Sequence, residues 1–149
     1  MEDFESFAAH LADPEATAFL GACDRQTAWR IFGCQAGLWL LQGAGWWAVE
    51  VRETRQLVGT VGAFFREGSP GLELGWNTYR EFWKQGFASE AAAEALRYAR
   101  EVRGERHVKA LIDAGNVASI RVAEHLGLRY DSTTELQGKP IDRYTAQGH

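Results

Sequence analysis

Apolar side chains at Phe4, Phe7, Ala8 and Leu11 recur at i, i+3, i+4 and i+7, the spacing that places residues on one face of a helix. Asp13-Pro14 ends this helix, because proline bars the preceding residue from helical backbone, and begins another short one. A longer helix follows. Asp24 can cap it, and Ala28, Ile31, Phe32, Gln35, Ala36, Trp39 and Leu40 form an almost unbroken apolar stripe up to the break at Gly43-Ala44-Gly45. From Trp46 the period becomes two: Trp47, Val49 and Val51 alternate with Ala48, Glu50 and Arg52, the signature of a half-buried strand. A turn near 54–56 leads into a second strand, "LVGTVGAFF", and Gly68-Ser69-Pro70-Gly71 opens a third, "LELGWNT", antiparallel to it.

The next stretch, "FWKQGFASEAAAEAL", passes through a glycine-centred turn into a helix whose buried stripe is Ala88, Ala91, Ala92, Ala95, Leu96, Ala99 and Val102. A strand over 107–113 comes next. It is followed by a helix over 116–127, with Asn116 as cap and Gly127 just past its end, and by strands over 128–136 and 140–145 hinged at 137–139. Hairpins at both ends, with helices crossing between strands in the middle, imply an α+β domain whose mixed sheet carries helices packed on it.

Composition narrows the functional classes. With 149 residues, 46% hydrophobic and 24% charged, the chain reads as one domain over 1–149. A net charge of −4 without a basic run gives no reason to expect a nucleic-acid or membrane partner. No apolar run reaches the roughly 18 residues of a bilayer crossing and no signal-peptide pattern opens the chain, so a cytoplasmic location is expected. Cys23 and Cys34 read as reduced packing residues. His10, His107, His125 and His149 lack the spacing of metal ligands, so no metal is expected.

The glycine turn admits two readings. Gly86 can serve a positive φ or a close helix-to-sheet approach. It can equally open a site for an anion, since the first amides of a helix lack intrahelical partners and carry the positive end of the macrodipole. Gly86, Ala88 and Ser89 are small enough to let a ligand approach, and Lys84 can add charge. Neither a Walker loop nor Gly-x-Gly-x-x-Gly is present, which disfavours nucleoside triphosphate and dinucleotide sites.

Two motifs in this order, Trp83-Lys84-Gln85-Gly86-Phe87-Ala88 and Asn116-Val117-Ala118-Ser119, resemble those of the Gcn5-related N-acetyltransferases, in particular the branch containing the ribosomal-protein alanine N-acetyltransferases. The first matches that family's Arg/Gln-x-x-Gly-x-Gly/Ala loop, with Trp83 standing where that loop usually starts with Arg or Gln, and the second its Asn-x-x-Ser helix start; the likeness spans about residues 45–145. The resemblance implies a largely antiparallel sheet with a central splay, and acetyl transfer from acetyl-CoA to a primary amine by direct attack in a ternary complex. An acyl-CoA-binding or regulatory domain of the same fold without turnover is the alternative. By the same resemblance, the CoA pyrophosphate sits on the amides of Gln85, Gly86, Phe87, Ala88 and Ser89 beside Trp83 and Lys84. The pantetheine arm pairs with the strand around Trp76 and Asn77, and Asn116 and Ser119 face the cofactor from the other side.

An ammonium has no lone pair, so the reaction needs a base; Glu73 is the first candidate, against a reading in which it is a solvent-facing or ion-paired strand residue. Ser119 is the candidate general acid and Tyr130 the alternative, tyrosine serving in other branches. Trp39, Trp46, Trp47 and Trp76 can line an acceptor pocket or fill the core, and Arg97, Arg100 or Arg103 can reach the CoA 3′-phosphate. The chain departs from the family pattern in opening on a helix, without the usual first edge strand, and an exposed edge invites pairing into a homodimer. The acceptor, a small molecule or a peptide N-terminus, leaves no diagnostic mark.

Overall fold

The computed structural model describes residues 1–146. Helices α1 (Phe4–Ala12) and α2 (Arg25–Gln42) precede strands β1 (Gly45–Glu50), β2 (Leu57–Phe64) and β3 (Leu72–Thr78). A 3-10 turn (Arg80–Phe82), α3 (Phe87–Arg97), a π turn (Tyr98–Val102), β4 (Val108–Ile112), α4 (Val117–His125), β5 (Arg129–Leu136) and β6 (Lys139–Ala146) complete the order. The alternating segments form strands close to the predicted limits, and 72–78 coincides with "LELGWNT". Asp24 accepts a hydrogen bond from the Thr27 amide at the start of α2, and Asn116 does the same for the Ser119 amide at the start of α4.

Three expectations are corrected. Residues after Pro14 form successive turns rather than a second helix: isolated backbone bonds such as Thr17 N–H to the Asp13 carbonyl and Gly21 N–H to the Thr17 carbonyl are joined by side-chain bonds, the Asp13 carboxylate accepting from the Glu15 amide at 2.9 Å and the Thr17 hydroxyl donating to the Asp13 carbonyl. The apolar stripe of α2 is not buried as a stripe. Ala28 alone of its residues is fully covered, and Leu40 is 93% exposed, because α2 packs on α1 and on edge strand β1 rather than across a sheet face. Val102 is 63% exposed, since the π turn that follows α3 widens the helix and carries it off the buried stripe.

The six strands lie in the order β1-β2-β3-β4-β6-β5, and every neighbouring pair is antiparallel except β3 with β4. That parallel pairing lasts for Leu72 with Val108 and Glu73 with Lys109, then stops. From Leu74 to Thr78, β3 is paired on its β2 side alone, so the sheet splits into a β1-β2-β3 half and a β4-β6-β5 half joined at one foot. Each half carries its own apolar cluster. Leu72, Leu74, Val61 and Val108 pack with Ala95, Leu96 and Ala99 of the α3 region, while Ala110, Ile112 and Tyr144 pack with Ala123 of α4 and with Leu128.

Candidate functional site

Directly paired residues on neighbouring strands present their side chains to the same face of a sheet, so the register sorts the residues around the split. Trp47, Val61 and Trp76 fall on the face that packs on the helices. Trp46, Gly62 and Gly75 fall on the opposite face, as do Phe64, Glu73 and Lys109. The Trp46 indole lies flat there: a Cβ at either Gly62 or Gly75 would stand 2.5 Å from its ring carbons. Both glycines are therefore required by the ring above them. Trp76, on the helix face, packs against both apolar clusters, and its Nε1 donates to Ser119 Oγ on α4 at 3.3 Å. The Trp46 and Trp76 rings thus cover opposite faces of β3 at the point where it loses its β4 partner.

The tip of β3 leads directly into the glycine turn. Trp83 Nε1 donates to the Thr78 carbonyl at 2.8 Å and pins the loop against the strand. Lys84 has a φ of 62° and Gly86 one of 85°, and two left-handed residues bring the chain around into α3. Gly86 is the helix cap, and among the described residues no side chain caps the amides after it and a Cβ built on it would meet nothing within 4 Å. The start of α3 therefore offers unpartnered N–H groups on an open surface. Asn77, Thr78, Gly59, Phe87 and Ala88 line a shallow depression between the strand tip and this helix start.

The predicted site residues are only partly assembled. Trp76 and Ser119 meet across the split, and Asn77, Gly86, Phe87, Ala88 and Ser89 converge at the β3–α3 junction. Lys84 and Gln85 are exposed in the loop, where Gln85 Nε2 donates to the Glu81 carbonyl at 3.4 Å. Glu73 lies at the foot of the split, 5% exposed and gripped by Arg66 through two bonds, Nε to Oε2 at 2.9 Å and a terminal nitrogen to Oε1 at 2.7 Å. That bond to Glu73 holds the Arg66 guanidinium above its ordinary value. The neighbouring Lys109, pulled down by burial, donates to Ser69 Oγ and the Pro70 carbonyl. Tyr130 is 56% exposed at the start of β5; its hydroxyl meets Thr133 Oγ1 at 3.0 Å and no hydrogen bond joins it to Ser119 or Trp76.

Other features escaped the sequence reading. Arg66 sits past the end of β2, where no local pattern ties it to Glu73; only the β2–β3 register brings the two together. The flat seat of Trp46 left a signal in retrospect, two glycines interrupting otherwise β-prone strands. His10 on α1 is buried against Tyr79, the ring centroids 5.1 Å apart, and its Nδ1 has no partner among the described residues. Burial lowers the His10 imidazole from its ordinary value and, as the larger of two causes, pushes the Tyr79 phenol up to about 12.

The acetyltransferase (GNAT) domain family model matches residues 1–129. An uncharacterized protein of Bacillus subtilis, YkkB, is 36% identical over 109 residues, which make up 72% of this chain and 63% of the relative; the chain thus spans less than two thirds of that relative's length. A solved acetyltransferase from Agrobacterium tumefaciens superposes with a TM-score of 0.90 at 26% identity, covering 99% of this chain and 86% of that one. A ribosomal-protein-alanine N-acetyltransferase from Brucella melitensis shares the fold, with a TM-score of 0.74 at 21% identity over 98% of this chain and 94% of its own. A split sheet of this topology, carried by a sequence that matches along most of its length, leaves one assignment: the chain belongs to the GNAT acetyltransferase family.

Proposed function

We propose that the protein is an N-acetyltransferase that moves the acetyl group of acetyl-CoA to a primary amine in one direct step. The observation that carries this reading is the continuity of the split with the uncapped start of α3: backbone freed at Leu74–Thr78 leads directly to open amides at Phe87–Ser89. An extended donor with an anionic middle and an amide-bearing arm fits both parts. Its pyrophosphate would lie on the amides after Gly86 with Lys84 nearby, and its arm would pair beside Trp76 and Asn77 in place of the missing strand. A backbone N–H near Trp76 would then face the thioester carbonyl, and one such donor contributes on the order of 3 kcal/mol to an oxyanion transition state.

The remaining residues divide by face. Ser119, reached from the helix face, is placed to serve the departing sulfur, and Glu73, on the opposite face, is the buried carboxylate of β3 on the side from which an amine would be deprotonated. Serving as base requires Glu73 to release Arg66. No cysteine lies in the split, Cys23 and Cys34 being in the N-terminal part, so the amine attacks the thioester itself rather than an acyl-enzyme. The acceptor is a small-molecule amine or a peptide N-terminus. Free-thiol release from acetyl-CoA with a panel of amines and peptides, run beside calorimetric CoA binding, tests the reading. Thiol release that depends on an added amine supports it, whereas CoA binding without release for any acceptor reduces the protein to a binding domain.

A further inference from the structure

Trp76 stands where the two halves of the sheet part, packed against the cluster under α3 and the cluster under α4. Its bond to Ser119 Oγ joins residues 43 positions apart across the split. An indole N–H only donates, so Oγ is the acceptor in this bond and one of its lone pairs is taken. The Ser119 amide is separately turned to Asn116 Oδ1 at 3.2 Å, which holds the first turn of α4. The hydroxyl hydrogen of Ser119 is left over. Serines on helices commonly give that hydrogen to a carbonyl of the preceding turn, yet among the described residues no such bond forms here.

We propose that Trp76 is a positioning residue: by occupying one lone pair of Ser119 Oγ, its indole keeps the hydroxyl hydrogen directed into the split, toward the sulfur that leaves. The inference rests on the N-acetyltransferase reading and adds to it a side chain that acts through Ser119. Amine and thioester give amide and thiol; a C–N bond forms, the C–S bond breaks, and one proton passes from nitrogen to sulfur. Ser119 gives its hydrogen to the sulfur as the C–S bond breaks and is reprotonated, through water, with the proton that Glu73 takes from nitrogen, so no further reactant enters. Without the indole N–H the hydroxyl is free to rotate among its staggered positions, and only some of them face the sulfur.

Trp76→Phe keeps an aromatic ring and deletes the N–H. Enzyme-dependent thiol release from acetyl-CoA, after subtraction of the uncatalysed reaction, is measured with hydroxylamine, a nucleophile small enough to need no acceptor pocket, for the wild type, Trp76→Phe, Ser119→Ala and the double variant, with CoA affinity by calorimetry. The expected result is a kcat about tenfold lower in Trp76→Phe with the acetyl-CoA KM within about twofold, and a double variant no slower than Ser119→Ala alone. An equal loss from Trp76→Phe in both backgrounds overturns the proposal, because packing alone would produce it. So does a loss confined to KM, or a wild type that binds CoA and releases no thiol to hydroxylamine. If Trp76→Phe does not fold, Trp76→Leu, which also lacks a donor, is read by the same criteria. A wild type that fails to bind CoA removes the enzymatic reading itself, and the inference with it.

Discussion

Gly86 has a φ of 85° and empty space where a Cβ would stand, so a side chain there meets strain but no clash. Gly86→Ala and Gly86→Glu should therefore lose similar stability, about 1 kcal/mol from the left-handed backbone, by thermal melting. Their CoA affinities should separate: Gly86→Glu puts bulk and negative charge over the open amides and abolishes binding by calorimetry, while unchanged affinity would remove the phosphate cradle from the proposal. His10 offers a pH test. Burial holds its folded pKa below the ordinary 6.5, so as the pH falls through that value the unfolded chain takes up a proton that folded His10 refuses. Stability therefore rises with pH in this window and is lost below it. His10→Leu removes both the titration and the unpartnered Nδ1, and should flatten the Tm profile between about pH 5 and 7 while raising Tm at neutral pH.

At the level of elements, the β2–β3 hairpin aligns Glu73 with Phe64 and thereby with Arg66 just beyond, so its ion pair can be tested apart from its proposed role as base. Glu73→Gln should lower stability by about 2 kcal/mol, the partly exposed Arg66 softening the cost of breaking a buried pair. If Glu73 is also the base, kcat at saturating substrate falls by more than about tenfold; a Tm loss with kcat intact leaves it the ion-pair role alone. Much of this architecture is legible in local sequence. Alternation marks β3, and short polar side chains mark both long-range helix starts, Asp24 and Asn116, because each of these signals is complete within a few residues. The α2 stripe misleads since periodicity names a face without supplying the partner that would cover it, as Leu40 illustrates. The length of the β3–β4 pairing is equally invisible: nothing in "LELGWNT" or in the β4 sequence states that the two should part after Glu73 and Lys109. Of the site, the cradle could be read as a choice between two explanations, whereas the Trp76–Ser119 bond could not be read at all.

For the whole molecule, among the described residues no helix is long and apolar enough to cross a membrane. If CoA binds as proposed, it should act on the fold as a unit, because the start of α3 belongs to one half of the sheet and Ser119 to the other. CoA at a hundred times its Kd adds about 2.7 kcal/mol, which for a domain of this size raises Tm by about 5 to 10 °C in a melting experiment; an unmoved Tm at that excess contradicts specific binding to the folded state. The foot at Leu72–Val108 and Glu73–Lys109 also has a bearing on ancestry. A sheet sewn together along its full width forces each substitution on one strand to be answered on the next. Here two panels share a single seam, so a lineage can reshape β5 and β6 while inheriting the β3–α3 corner unaltered.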